Sequence, residues 1–417
     1  MNRMYCLWPL LVITFGLLVA CDEDRQAPHA VTELEVWMHG GSAARLQTLQ
    51  GQVARFNASQ RRQRINVVVL PAGNYHAQVN AALADGRLPD ILEVDAALFS
   101  RAISGERLLR LDKQLTEGTQ VDLLPEVMQQ GMSQGHLYQV ASDDAVIAMY
   151  VRRSQLQAAG VMIPAAGQGW SAAEFSRVLA RLAEHDADHA VLDLQLNRSD
   201  DWISSLLMPL LQSAGVDINA DALADHSRGA LNDEGAVRVL TQLQHWLRQG
   251  SVDGNGDDLA FVNGRVAVSI ADQSHYLRYR AAAADDLLVL PLPDFGHGIR
   301  SVHDNWGWAL STRCKDPRAA IRFIEFLLQP AEMLRITDSS GTLPVTRSAV
   351  SSSQLMASDP NLQRLQRLAQ STVIDWRRGA QYPQLALALR QAFAAARRGQ
   401  DVRTTLDDMV ARVTAGH

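Results

Sequence analysis

Apolar residues recur along this chain with two alternating periods. In Leu34-Glu35-Val36-Trp37-Met38 every second residue is apolar, the period of a strand with one buried face. From Ala43 to Asn57 the apolar positions Leu46, Leu49, Val53 and Phe56 fall three or four residues apart, on one face of a helix. Ile65–Leu70 reads as a second strand, Tyr75–Ala84 as a second helix and Asp90–Val94 as a third strand. Strand–helix–strand–helix–strand at this spacing predicts a parallel sheet with crossover helices. Ligands of such sheets gather at the carboxyl ends of the strands, which places Trp37, Met38, His39, Gly40, Gly41, Asp95 and Ala96 beside a cleft.

The same two periods continue. Helices are predicted over 97–105, 171–184, 202–214, 235–248, 259–263, 273–284, 317–328, 385–395 and 402–413, and strands over 146–151, 191–194, 266–270, 287–290 and 306–310. Ser171 and Glu174 have capping-box spacing. The fold class is α/β.

The N-terminus departs from this pattern. Arg3 precedes an apolar run, Leu7–Ala20, of 14 residues. The ~20 residues of a permanent membrane span exceed it, so it reads as a secretory signal. Leu18-Val19-Ala20-Cys21 resembles a bacterial lipobox. The resemblance implies a signal peptide over 1–20, acylation of Cys21 and a polar tether over 21–31. Asp22 resembles a retention signal for the inner membrane, giving a lipid-anchored protein on its periplasmic face.

The formal net charge of -6 argues against nucleic acid, which requires a clustered basic surface. Of three cysteines only Cys314 lies in the body, so no disulfide staples the fold, and Cys314 reads as a structural thiol. His185 and His189 are read as part of a polar loop, and 253–258 as a surface turn, so no metal is assigned. There is no GxSxG elbow, P-loop or GxGxxG. No catalytic residue and no cofactor are assigned.

Five segments in order resemble the family-1 extracellular solute-binding proteins, the maltose-binding-protein type of receptor for ABC sugar importers. They are Tyr75–Asp90 followed by Asp95, His136–Arg153, Phe261–Val268, Asn305–Ser311 with Ala319–Leu328, and Leu343-Pro344-Val345. Asp272–Tyr276 departs from the family's Gly-Pro-Trp-like stretch. The resemblance implies a two-lobed periplasmic-binding-protein fold of type II with a hinge between the lobes. Lobe 1 would comprise 32–143 plus 299–343, and lobe 2 would comprise 144–298 plus 344–417. The implied function is capture of a mono- or oligosaccharide and its delivery to ABC permease subunits, by a monomer that is not an enzyme.

A sugar offers hydroxyls and apolar C–H faces, so a sugar cleft needs flat rings with carboxylates and amides. The ring candidates are Trp37, Tyr75, Trp202, Tyr276, Trp306 and Trp376. The carboxylates are Asp95, Asp143, Asp144 and Asp272, with His39, Asn305 and Arg377 as further polar groups. Trp37 is equally well placed for the core. Trp306 and Trp308 share a strand face, so one is expected in the core and one in the cleft. Asp272 could cap the next helix instead. Asp143 and Asp144 stand at a lobe crossing, and which of them meets the ligand stays open. A polyamine, polyol phosphate or osmolyte receptor is the alternative. A secreted glycosidase is less favoured, because adjacent Asp143 and Asp144 cannot flank a glycosidic bond.

Overall fold

The computed structural model describes residues 31–165, 167–198, 200–217, 231–303, 306–371 and 382–415. Strands β1 (Thr32–His39), β2 (Gln63–Leu70) and β3 (Ile91–Val94) run parallel, with β1 central. Helices α1 (Ala43–Ser59) and α2 (Ala72–Asp85) link them as the apolar periods predict. Ser42 caps α1 by accepting from the Arg45 amide at 3.2 Å. Gly86 ends α2 in a left-handed conformation, φ 64°, that a side chain would strain. Helix α3 (Ala96–Ser104) follows β3, capped by Asp95.

After the short hairpin β4 (Met132–Ser133) and β5 (His136–Leu137), strand β6 (Gln139–Ala141) returns to this first sheet. Three strands then build the second sheet: β7 (Ile147–Arg152), β8 (Leu192–Asp193) and β9 (Val268–Asp272). β10 (Leu287–Leu290) forms its edge, and β11 (Gly307–Leu310) belongs to the first. The first sheet has the order β2-β1-β3-β11-β6 and the second β10-β7-β9-β8. The fold is therefore two-lobed, with one large sheet per lobe.

Alternation along the strands divides each lobe's core into two layers. In the first lobe Leu34, Val36, Met38, Ile91, Trp308 and Leu310 face one layer, while Leu92, Val94 and Ala309 face the other. In the second lobe Ile147, Met149 and Val151 oppose Ala148 and Tyr150 across β7. Full burial of a side chain of this size contributes about 1.5–3 kcal/mol. The helix Pro330–Ser340 and the segment reaching Val345 and Ala349 pack in the first lobe's core.

Two predictions are corrected. Residues 259–263 form a single turn, not a helix: the Arg265 amide bonds to the Ala260 carbonyl at 2.9 Å, and Gly264 adopts φ 73°, which ends the turn at once. The strand expected at 266–270 runs at Val268–Asp272 instead. The imidazole Nδ1 atoms of His185 and His189 lie 2.9 and 2.7 Å from the carbonyls of Arg181 and Ala183, at the end of helix Ala172–Ala183. Cys314 packs against the first core, and burial pushes its thiol up to about 12. Among the described residues no helix is long and apolar enough to cross a membrane.

Candidate functional site

The carboxyl ends of β1 and β3 meet the start of β11, and a buried ion cluster holds them together. Glu93 faces inward from β3 and is fully buried. Its Oε2 accepts from the His39 amide at 3.0 Å and lies 2.8 Å from His39 Nδ1. Its Oε1 accepts from Arg45 Nη2 at 2.9 Å. Arg45 Nη2 also reaches Ser142 Oγ at 2.9 Å and Asp143 Oδ1 at 3.3 Å. Burial alone would raise the Glu93 pKa, but Arg45 and then His39 outweigh it and hold the carboxyl down at about 2. Burial likewise opposes the Arg45 charge, and Glu93 with Asp143 restores it, leaving the guanidinium above its ordinary value.

This cluster positions an aromatic group. The Trp306 carbonyl accepts from the Ser142 amide and from Ser142 Oγ, each at 3.0 Å. His39 stacks on the Trp306 ring, with centroids 3.8 Å apart and planes 14° apart. Tyr75 meets the same ring edge-on at 5.3 Å, and the Tyr75 hydroxyl donates to the Glu93 carbonyl at 2.7 Å. His76 lies 5.9 Å from the Trp306 ring, and its Nε2 is 2.8 Å from Asp95 Oδ2. Trp306, His76 and Asp95 keep part of their surface exposed, whereas Tyr75 is fully buried. Trp306 escapes the alternation that buries Trp308 because the strand begins only at Gly307. A Cβ on Gly307 would lie 2.1 Å from Gln139 Nε2, so any side chain beside Trp306 would displace the buried Gln139 side chain.

The lobe crossing lies next to this group. Asp144 and Leu343 pair as an antiparallel bridge, as do Val146 and His303. His303 Nδ1 is 2.7 Å from Asp144 Oδ1, with both side chains buried. Ser301 Oγ donates to the Ile147 carbonyl at 2.7 Å.

In the second lobe Asp272 ends β9 and pairs with Arg198. Its Oδ1 also accepts from the Ser274 amide at 2.8 Å, so Asp272 caps the short helix that follows. Burial would raise its pKa, but Arg198 and His275 bring it well below the usual carboxylate range. The Arg198 guanidinium lies 4.5 Å over the Trp202 ring. Trp202 is buried and donates through Nε1 to the Leu194 carbonyl at 2.8 Å. Tyr276 is fully buried, and its hydroxyl donates to Asp359. The ring of Tyr276 therefore packs inside the second lobe and offers no face to solvent. Helix α3 of the first lobe touches helix Tyr382–Arg397 of the second, with Ala97 packed against the second lobe's core.

Of the residues proposed from sequence, the structure gathers His39, Tyr75, Asp95, Asp143 and Trp306 into one group, with Asp144 beside it at the crossing. Trp37 sits mid-strand, half-buried, its Nε1 donating to Glu35 Oε1 at 2.5 Å. Asp272, Trp202 and Tyr276 belong to the other lobe. Asn305, Trp376, Arg377 and Cys21 lie outside the described residues. Glu93, Arg45 and His76 were not foreseen. A glutamate inside the apolar strand Ile91–Val94 is the one sequence signal that marks Glu93.

The family pattern described as bacterial extracellular solute-binding protein matches residues 51–364. The chain belongs to this family. Among solved structures, a chitin oligosaccharide binding protein is similar over 92% of this chain and 98% of its own, at 15% identity and a TM-score of 0.78. The cyclic alpha-maltosyl-1,6-maltose binding protein from Arthrobacter globiformis covers the same shares at 19% identity and a TM-score of 0.75. UgpB from Mycobacterium tuberculosis, in complex with glycerophosphocholine, also covers those shares, at 18% identity and a TM-score of 0.76. At these identities the likeness to extracellular solute-binding proteins of known structure is one of fold. No curated protein matches the sequence.

Proposed function

We propose that this extracellular solute-binding protein captures a sugar between its lobes and delivers it to the permease of an ABC importer, without catalysing a reaction. The observation that supports a sugar is the group around Trp306. A partly exposed indole, stacked on His39 and with its backbone carbonyl held by Ser142, stands beside the Asp95–His76 pair. An indole takes the C–H face of a pyranose, and a carboxylate accepts from its hydroxyls. Capture needs no covalent step, and ligand draws the lobes together only by its greater affinity for the closed arrangement. Lipid on Cys21 would keep the receptor, as a monomer, at the periplasmic face of the inner membrane, with several acyl chains giving stable anchoring.

A second reading is a receptor for a polyol phosphate, polyamine or osmolyte. UgpB, with the same fold, was solved in complex with glycerophosphocholine. Calorimetric titration with mono- and oligosaccharides, set against glycerophosphocholine and spermidine, separates the two readings. Incubation with oligosaccharides, followed by assay for new reducing ends, tests the absence of catalysis.

A further inference from the structure

On residues outside the group around Trp306, the second lobe carries a concentration of positive charge at odds with the chain's net charge of -6. Arg364 and Arg367 lie one turn apart on helix Pro360–Ser371 and line one cavity of about 80 Å³. Its floor is the edge strand β10 with Pro291 and Ile299, and Gln168 and Ser371 add polar groups to the lining. Arg153, at the start of helix Arg153–Ala158, adds its charge to the same neighbourhood.

None of these guanidiniums is paired with a carboxylate among the described residues. Arg364 Nη1 donates to the neutral Asn361 Oδ1 at 2.9 Å. That amide is already committed to the sheet edge: it accepts from the Val289 amide at 3.2 Å and donates to the Leu287 carbonyl at 3.0 Å. Burial, and then Arg153 and Arg367, push the Arg364 guanidinium below its ordinary value. Like charges brought together over an apolar floor repel one another unless an anion joins them. Planar guanidiniums match the oxygens of a tetrahedral oxyanion. The cavity has room for one such group, since a single water needs only about 10–15 Å³ of space of this kind.

We propose that the cavity beneath Arg364 and Arg367 binds a phosphate group, carried by a free phosphate compound or by an anionic phospholipid. Its lining shares no residue with the group around Trp306, and the proposal does not depend on the nature of the captured solute.

The test is thermal unfolding of the full chain against inorganic phosphate, against dihexanoyl phosphatidylglycerol below its micellar concentration, and against chloride at matched ionic strength. The wild type is expected to show a saturable rise in Tm with at least one phosphate probe and none with chloride. Response to inorganic phosphate assigns a free phosphate, and response to the lipid alone assigns a headgroup. The R364Q/R367Q variant is expected to lose the response and, in phosphate-free buffer of low ionic strength, to melt above the wild type because the repulsion is relieved. The R364K/R367K variant keeps the charge and should retain binding, weakened about tenfold by loss of the planar fork. A wild type indifferent to both probes, or an R364Q/R367Q response equal to the wild type's, overturns the proposal.

Discussion

Asp144 and His303 join two segments of the lobe crossing through a buried contact of 2.7 Å between Oδ1 and Nδ1. Its neighbour Asp143 turns the other way, toward Arg45 and the first lobe's ion cluster. Two carboxylates that are adjacent in sequence thus serve different tasks, one lacing the crossing and one anchoring the site.

Asp144→Asn keeps the shape of the side chain and removes its charge. The exchange is expected to lower stability by about 1–3 kcal/mol, the usual range for a weakened buried hydrogen bond. It should also broaden the distribution of lobe separations seen by small-angle scattering. An unchanged scattering profile would assign Asp144 to local packing alone.

Glu93 and Arg45 are a buried pair in which each needs the other. Glu93→Gln leaves the Arg45 charge enclosed with only Asp143 at 3.3 Å, and a cost of about 3–5 kcal/mol is expected. Replacing both, as Glu93→Gln with Arg45→Met, should recover much of that loss. Denaturant unfolding of the single and double variants measures the coupling. Additive losses would contradict it.

The same pair sets the acid response. Glu93 is held at about 2 in the folded protein against 4.5 when unperturbed. A lowered carboxylate contributes stability above its unfolded pKa, and that stability is lost as pH falls through the folded value. The contribution is on the order of 3 kcal/mol, lost between about pH 4.5 and pH 2. Asp272, also held low, acts in the same direction. The slope of stability against pH in this window should be shallower for Glu93→Gln.

Much of the first lobe was legible in the sequence because its strands and helices keep clean periods. Leu34, Val36 and Met38 mark one buried face, and Leu49, Val53 and Phe56 mark the helix face that covers it. The contacts that build the site were less legible, because they join residues far apart in the chain. Nothing near Arg45 announces that it will meet Glu93, 48 residues later, and Asp143, 98 residues later. Trp306 and Trp308 have the same strand parity, yet only Trp308 is buried, since alternation holds only inside the strand and β11 starts one residue after Trp306. Tyr276 shows the opposite failure. Its aromatic ring suggested a ligand surface, but the short helix capped by Asp272 carries it inward, onto Asp359.

Trp306→Ala removes the ring that His39 stacks on and leaves the backbone contacts of Ser142 in place. Sugar affinity is expected to fall about tenfold or more, in keeping with about 0.5–1.5 kcal/mol for an aromatic contact beyond the area it buries. The fluorescence change on ligand addition should shrink with it. Wild-type affinity in this variant would remove Trp306 from the site.

Cys21→Ser should abolish incorporation of radiolabelled palmitate in a bacterial host and release the protein from the membrane fraction. Label retained by the variant would place any acyl chain elsewhere.

The most direct test of the central claim is isothermal titration of the purified chain with a panel of mono- and oligosaccharides, with glycerophosphocholine and spermidine as contrasts. One member of the sugar panel is expected to bind saturably at one site per chain, with that heat strongly reduced in Trp306→Ala. Heat from glycerophosphocholine or spermidine alone, or from none of the panel, would contradict a sugar receptor.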